Sequence, residues 1–365
     1  MIKKERIQTI FSNCPLDTEV IILKNGSDSF IDKNFFYTTG LNQGIFEGCA
    51  VVLFPDGNVH IIVSSLEEEL AKKTDASVHT FKTRKELSTV METIIGKSDK
   101  IGINASYLLY SDYVFLHSIF KQKEFIDISK IFDYTRMIKD KEEIKNIKKA
   151  CEIADKVAEK IPDFISKGMH EFELAAEINY HLQRFGAQKP AFETISSFGS
   201  NTAMPHYAHG NKKLMNGDFI LCDFGATINN YHSDTSRTFV YGSASSKQRE
   251  IYETVMKSQE IALDTIHPNI QAKKIHQVTY DFIEQSKFKG CFIHSTGHSL
   301  GLNVHDPGVG FNFHCDEILK ENMVLTVEPG IYLSDYGGVR IEDDIVIRSE
   351  GCELLTTSSK SLIEI

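Results

Sequence analysis

Asp223, Asp234, His298, Glu328 and Glu342 lie in the last two-fifths of this 365-residue chain. They are four carboxylates and one imidazole, residue types that hold divalent cations, and no thiolate is among them. Such a set suits manganese, cobalt, zinc or iron(II) rather than copper(I) or an iron–sulfur cluster. Two cations sharing carboxylates would acidify a water molecule and polarise a carbonyl, which is the chemistry of hydrolysis.

The elements that must position these groups are two hairpins. Residues 219–225 read as a strand, and residues 231–240, rich in β-branched and aromatic side chains, read as its partner. Asn229 and Asn230 favour a tight turn between them. A hairpin folded about the 228–229 bond would put Asp223 directly opposite Asp234. At roughly 4 Å and an effective dielectric near 20 their repulsion is about 4 kcal/mol, and a cation between them reverses its sign. The competing reading is a pair of solvated edge aspartates, repelling by only ~1 kcal/mol in water. In the second hairpin, residues 324–328 form a strand stopped by Pro329, and residues 339–347 form another. A bend near Asp335 would set Glu328 opposite Glu342. Arg340 shares a face with Glu342 and would orient that carboxylate, the plainer alternative being a salt-bridged surface hairpin. His294, His298 and His305 fall in one glycine-punctuated stretch, and His206 follows Pro205. Any one of them taken singly is more often a satisfied core or surface residue than a ligand.

Five segments, LCDFGA, HSDTSRTF, HSTGHSLGLNVHD, TVEPGIY and GVRIEDDIVI, carry a resemblance to the pita-bread metallopeptidases, the family of methionine aminopeptidase, aminopeptidase P and prolidase. The resemblance covers the whole chain, with the motifs in family order. It implies two divalent metal ions, manganese or cobalt by family habit. Asp223 would chelate one ion, Asp234 and Glu342 would bridge both, and His298 and Glu328 would complete the shell of the other. A bridging hydroxide would attack the scissile carbonyl, with Glu328 as proton shuttle. His206 and His305 would line the substrate site and stabilise the tetrahedral intermediate, His294 would be a further pocket histidine, and Tyr332 and Arg340 a hydrogen-bonding pair near the metals. The implied fold is an α/β N-terminal domain of the creatinase/prolidase type, residues 1–133, before an α+β pita-bread catalytic domain, residues 134–365. Methionine aminopeptidases usually lack the first domain, so its presence turns the expectation to proline-directed members. Their substrates are proline-containing peptides or dipeptides, and the family analogy implies a homodimer. Prolidases commonly carry an arginine after the His305-type motif to hold a dipeptide carboxylate, whereas residues 306–319 contain no Lys or Arg. That departure, with Asp306 where many microbial prolidases have Glu, favours an Xaa-Pro aminopeptidase, with prolidase as the alternative. Metal-free relatives, binding modules or creatinase-like enzymes, are a further class, disfavoured by competent residues at all five ligand positions.

The rest of the chain sets bounds. A net charge of −10 argues against nucleic acid as a partner. The N-terminus lacks a signal-like apolar stretch, no run reaches membrane-spanning length, and the seven cysteines are scattered without a Cys-x-x-Cys, so the expectation is a reduced, cytoplasmic protein without a membrane partner. Strand alternation points Cys222 away from Asp223 into the core. Short apolar strands at 19–23, 50–54, 60–63 and from 100, with an Asp56-Gly57 hairpin signal and a helix at 66–73, make up the first domain. Asp140 and Glu143 form a capping box for a helix burying Ile144, Ile147, Cys151, Ala154 and Val157. Further helices are expected near 170–185, 246–266 and 272–287. The alternation of helices and strands suggests a duplicated layout.

Overall fold

The computed structural model describes residues 2–365; Met1, with which the expected first domain begins, lies outside the described residues. The chain divides into two compact units, one ending at Arg136 and the other beginning at Met137. No described helix is long and apolar enough to cross a membrane.

The first unit is built on a six-stranded mixed sheet. Its strands are β1 (Val20–Lys24), β2 (Ala50–Leu53), β3 (Val59–Ser64), β4 (Ser77–Phe81), β5 (Lys100–Ile103) and β6 (Glu124–Asp127), in the order β4-β3-β2-β1-β5-β6. The β2–β3 hairpin closes at Gly57, which adopts φ 84°. One face of the sheet, with Val20, Ile22, Val52, Ile62 and Ile101, buries Leu87, Met91 and Ile95 of α4 (Arg84–Ile95) and Phe115 and Leu116 of α5 (Tyr110–Ile119). Helices α1 (Lys4–Asn13), α2 (Lys33–Thr39), α3 (Glu68–Ala71) and α6 (Ser129–Met137) complete the succession of elements. The helix expected over 66–73 shrinks to the four residues of α3, whose N-terminus has no side-chain cap.

The second unit repeats one plan twice, a helix pair packed on an antiparallel sheet. In its first half, α7 (Lys141–Phe164) starts at the Asp140–Glu143 capping box, and α8 (Glu171–Arg184) follows. Together they cover β7 (Ile195–Phe198), β8 (Phe219–Phe224) and β11 (Thr235–Val240), in the order β11-β8-β7. Ala154, Val157, Leu174 and Ile178 meet Phe198, Ile220, Cys222 and Phe239 in this core. In the second half, α9 (Ser246–Thr265) and α10 (Ala272–Glu284) cover β14 (Val324–Val327), β17 (Asp343–Arg348) and β18 (Gly351–Leu354), with Ala262 and Ile275 among Leu325, Val327, Ile345 and Ile347. Short ribbons extend the strands: β9 (Thr227–Ile228) with β10 (Tyr231–His232), β12 (Gly297–His298) with β13 (Gly310–Phe311), and β15 (Gly330–Leu333) with β16 (Gly337–Arg340).

The halves join where β11 runs beside the Arg340–Asp343 segment. Glu342 N–H donates to Ser236 O at 3.2 Å, and Thr238 Oγ1 donates to Arg340 O at 3.0 Å. Arg237, 2% exposed, clamps the seam: its guanidinium donates to the carbonyls of Ser236, Glu342 and Ser358 and pairs with Asp343 at 2.8 Å. Every guanidinium nitrogen has an acceptor, which offsets the cost of burying the cation and ties both sheets to the C-terminal segment.

Candidate metal centre and active site

The first hairpin turns at Asn229 and Asn230, with φ 50° and 68°. Positive φ at both central residues is the two-residue turn that matches strand twist. The fold point therefore lies one bond later than the sequence suggests. Asp223 sits opposite Ser236, not opposite Asp234, and Ile228 opposite Tyr231. A two-residue offset leaves Asp234 on the same face, one diagonal step from Asp223. The ladder opens at Gly225, where a Cβ would lie 1.8 Å from Ser233 O, so only glycine lets the strands close there. Asp234 N–H instead donates to Asp344 Oδ2 at 2.8 Å.

The second hairpin is centred on Asp335, at φ 62°, and its register runs Val327 opposite Asp343 and Gly330 opposite Arg340. Glu328 and Glu342 are thus level with each other, between the two ladders. His298 arrives on β12, held close to β14 because Gly297 has no Cβ; one would lie 1.9 Å from Thr326 O.

All five candidate ligands line one cavity of about 560 Å³ together with His206, His294, His305 and Arg340. Ligand atoms of Asp234, His298 and Glu342 lie within 4.8 Å of one another. His298 Nε2 is 3.7 Å from both Asp234 Oδ2 and Glu328 Oε1. Its Nδ1 lies 3.1 Å from Ser299 O, which can only accept, so Nδ1 carries the proton and Nε2 presents a lone pair to two carboxylates. A lone pair facing carboxylate oxygens is repulsive unless a cation intervenes. Asp223 Oδ1, Asp234 Oδ1 and Glu342 Oε1 are buried with no hydrogen-bond partner among the described residues. Orphaned buried carboxylate oxygens are costly, and three in one cavity is what divalent cations would satisfy. The donor set present therefore fits the metal ions.

The titration behaviour has the same cause. Burial, then Glu342 and Asp223, pushes Asp234 well above the carboxylate range. Burial, then Glu328 and Asp223, does the same to Glu342. Glu328 is pushed up to about 8 by burial, against the pull of Arg340. Burial and then His305 lower His298 to about 4, and burial and then Arg340 lower His294 to about 3, so both are neutral donors of lone pairs or N–H groups. Glu328 holds a proton in the folded state that the unfolded chain releases, so its contribution is lost as pH rises toward about 8, and the raised Asp234 and Glu342 carboxyls act in the same direction. The lowered histidines act oppositely, but only below their ordinary value near 6.5. Between pH 6.5 and 8 the carboxyls alone remain. The Tm of cation-free protein is expected to fall across that interval, and the Tm gain on adding Mn²⁺ to grow, because fewer protons need displacing. A gain that shrinks from pH 6.5 to 8 contradicts this.

Arg340, 3% exposed, forms the expected hydrogen-bonding pair with Tyr332 but does not bond Glu342 directly. Its direct carboxylate partner is Asp223, through Nη2. It reaches Glu342 only through Ser236: Nε donates to Ser236 Oγ at 2.8 Å, and Ser236 Oγ donates to Glu342 Oε2 at 2.8 Å. Arg340 Nη1 also donates to Tyr332 Oη at 3.0 Å, and Tyr332 Oη lies 2.8 Å from His294 Nε2. His294 Nδ1 faces Ser295 O at 2.8 Å, so Nε2 accepts and the tyrosine donates. Burial lifts the Tyr332 phenol to about 12, keeping it a donor. His305 lies beside His298 with ring centroids 4.1 Å apart and planes tilted by 53°. Ser236 and Asp344 escaped the sequence reading. Each lies two residues after a candidate ligand, Asp234 and Glu342, and the period of two was the available signal.

Phe192, Ile195, Pro205 and Val304 give the cavity an apolar wall. A second cavity of about 570 Å³, lined by Met204, Tyr207 and Ile293, shares Pro205, His206 and His294 with it.

The chain is 36% identical to the Xaa-Pro dipeptidase of Pyrococcus furiosus over 338 residues, 92% of this chain and 94% of that protein. The solved structure of X-Pro aminopeptidase from Thermotoga maritima MSB8 superposes with a TM-score of 0.91 at 31% identity, covering all of both chains. That of the prolidase from Pyrococcus horikoshii OT3 superposes with a TM-score of 0.88 at 33% identity, covering 99% of each. Residues 6–138 match the Creatinase/Prolidase N-terminal domain and residues 145–349 match Metallopeptidase family M24. The chain belongs to metallopeptidase family M24, with a creatinase-type N-terminal domain before the pita-bread catalytic domain.

Proposed function

We propose that the chain is an Xaa-Pro dipeptidase whose cations are held by Asp223, Asp234, His298, Glu328 and Glu342. The observation that carries the site is the trio of buried carboxylate oxygens without a hydrogen-bond partner among the described residues, beside the His298 lone pair. Bound cations would supply an acidified water and Lewis-acid polarisation of the substrate carbonyl. Glu328 takes the proton of the attacking water and passes it to the leaving proline nitrogen, a role suited to a carboxyl with an elevated pKa. His206 and His305 face the carbonyl oxygen as it gains charge. Arg340 and Ser236 hold Asp223 and Glu342 in place. The apolar wall of Phe192, Ile195, Pro205 and Val304 accepts ring and alkyl surface, which matters because an Xaa-Pro bond offers no N–H to clamp.

Dipeptide preference rests on the relatives named dipeptidase and prolidase, and it replaces the aminopeptidase expectation drawn from residues 306–319. One observation keeps the aminopeptidase as a second reading: Arg340 is the only Lys or Arg lining the 560 Å³ cavity among the described residues, and Asp223 already engages it. Xaa-Pro dipeptides assayed against Xaa-Pro-Xaa tripeptides decide between them. At least a tenfold higher kcat/KM on dipeptides is expected; preference for tripeptides restores the aminopeptidase. His206→Ala should lower kcat by roughly 10²–10³-fold, as loss of an oxyanion donor does, with metal content unchanged. Elemental analysis that finds cations lost from this variant contradicts its placement. Manganese or cobalt and a homodimer remain the family expectation, checked by metal-dependent activity and light scattering.

A further inference from the structure

We infer that Glu171 is a positioning residue for His206, an inference that rests on the reading of His206 as a group facing the substrate. His206 belongs to no helix or strand: after the short turn Gly199–Ala203, the backbone to residue 212 is irregular. Something outside the segment must fix it. One edge is held by the second hairpin, with Gly338 N–H donating to Thr202 Oγ1 at 2.6 Å and Arg340 Nη1 to Pro205 O at 3.4 Å. The other edge is held by Glu171, the first residue of α8, which is 0% exposed. Its Oε1 accepts from Phe198 N–H at 2.8 Å and from Asn201 Nδ2 at 2.9 Å, and its Oε2 accepts from the Tyr207 hydroxyl at 3.0 Å. Gly210 passes so close that a Cβ would lie 2.2 Å from the Tyr207 hydroxyl and 3.3 Å from Glu171 Oε2.

A fully buried carboxylate whose donors among the described residues are all neutral is an expensive choice if packing were its sole purpose. Its location at a helix N-terminus lowers that cost, since the helix dipole favours negative charge there. The side chain turns back to the irregular segment and ties it at residues 198, 201 and 207, bracketing His206. Tyr207 is both a tie and part of the wall of the second cavity, so the same carboxylate sets the imidazole and the apolar surface beside it.

The test is a double-mutant cycle with a spectroscopic arm. Glu171→Ala is expected to lower kcat/KM on an Xaa-Pro peptide on the order of 10²-fold, the effect of about 1 Å misplacement. In a His206→Ala background it should cost less than about threefold, because the group it positions is gone. Bound manganese should stay at the wild-type stoichiometry. Equal losses in both backgrounds, or loss of cations, overturn the inference. Tyr207→Phe and Asn201→Ala remove one tie each, and serve the same cycle should Glu171→Ala fail to fold. In zinc-loaded protein, the His206 imidazole NMR signal, assigned by its disappearance in His206→Ala, should shift or broaden in Glu171→Ala and Tyr207→Phe while those of His298 and His305 hold. An unmoved His206 signal refutes the positioning role whatever the enzyme cleaves. A wild-type protein without Xaa-Pro hydrolysis would instead sink the proposed function and leave the signal to decide.

Discussion

Asp234→Asn is expected to lower kcat/KM by roughly 10²–10⁴-fold, even in saturating manganese. Asp234 is 5% exposed, its Oδ1 has no partner among the described residues, and its Oδ2 lies 3.7 Å from His298 Nε2. Its backbone is pinned by Asp344. An amide keeps that shape and removes the charge, so the loss reads electrostatics rather than folding. Taking one partner from a buried ion pair costs about 3–5 kcal/mol, and each 1.36 kcal/mol is a factor of ten. Steady-state kinetics paired with elemental analysis checks this, and bound manganese should drop together with activity. Full activity in this variant would remove Asp234 from the cation-holding set.

Glu328→Gln carries the second large effect, a kcat roughly 10²–10⁴-fold below wild type, the usual span for losing a general acid–base group. Glutamine matches the glutamate in shape and retains an oxygen for a cation, but it cannot carry the proton. Burial outweighs Arg340 and lifts the Glu328 carboxyl to about 8, which suits a group that must take up and release a proton near neutral pH. Single-turnover rates with an Xaa-Pro substrate measure the step directly. A rate within tenfold of wild type would assign the proton shuttle to another residue.

What the sequence disclosed and what it withheld divide along physical lines. The Asp335-centred bend was legible because glycines and a proline punctuate residues 329–338, and Glu328 falls level with Glu342 in the structure. The first hairpin was misregistered by two residues. Asn229 and Asn230 both take positive φ, and a turn built that way moves the fold point by one bond. The error preserved the face, which is why Asp223 and Asp234 still line one cavity. Arg340 was seen as a neighbour of Glu342 along the strand. Its bond to Asp223 joins strands 117 residues apart in sequence, and no local pattern encodes such a contact. Arg237 escapes for the same reason, since its partners belong to the seam between two sheets, whereas Ser236 and Asp344 stand two residues after candidate ligands and carry the strand-period signal. The Asp140–Glu143 cap and the buried stripe of α7 are local in sequence and were readable. The helix expected over 66–73 shortens to Glu68–Ala71, whose N-terminus has no side-chain cap to satisfy its first N–H groups.

Anomalous diffraction from crystals grown with manganese, recorded on both sides of the manganese edge, would locate the cations. Two peaks are expected, enclosed by Asp223, Asp234, His298, Glu328 and Glu342 and close to the carboxylate oxygens that have no hydrogen-bond partner among the described residues. A cavity without peaks, or peaks confined to surface carboxylates, would contradict the assignment of this site to metal-assisted hydrolysis.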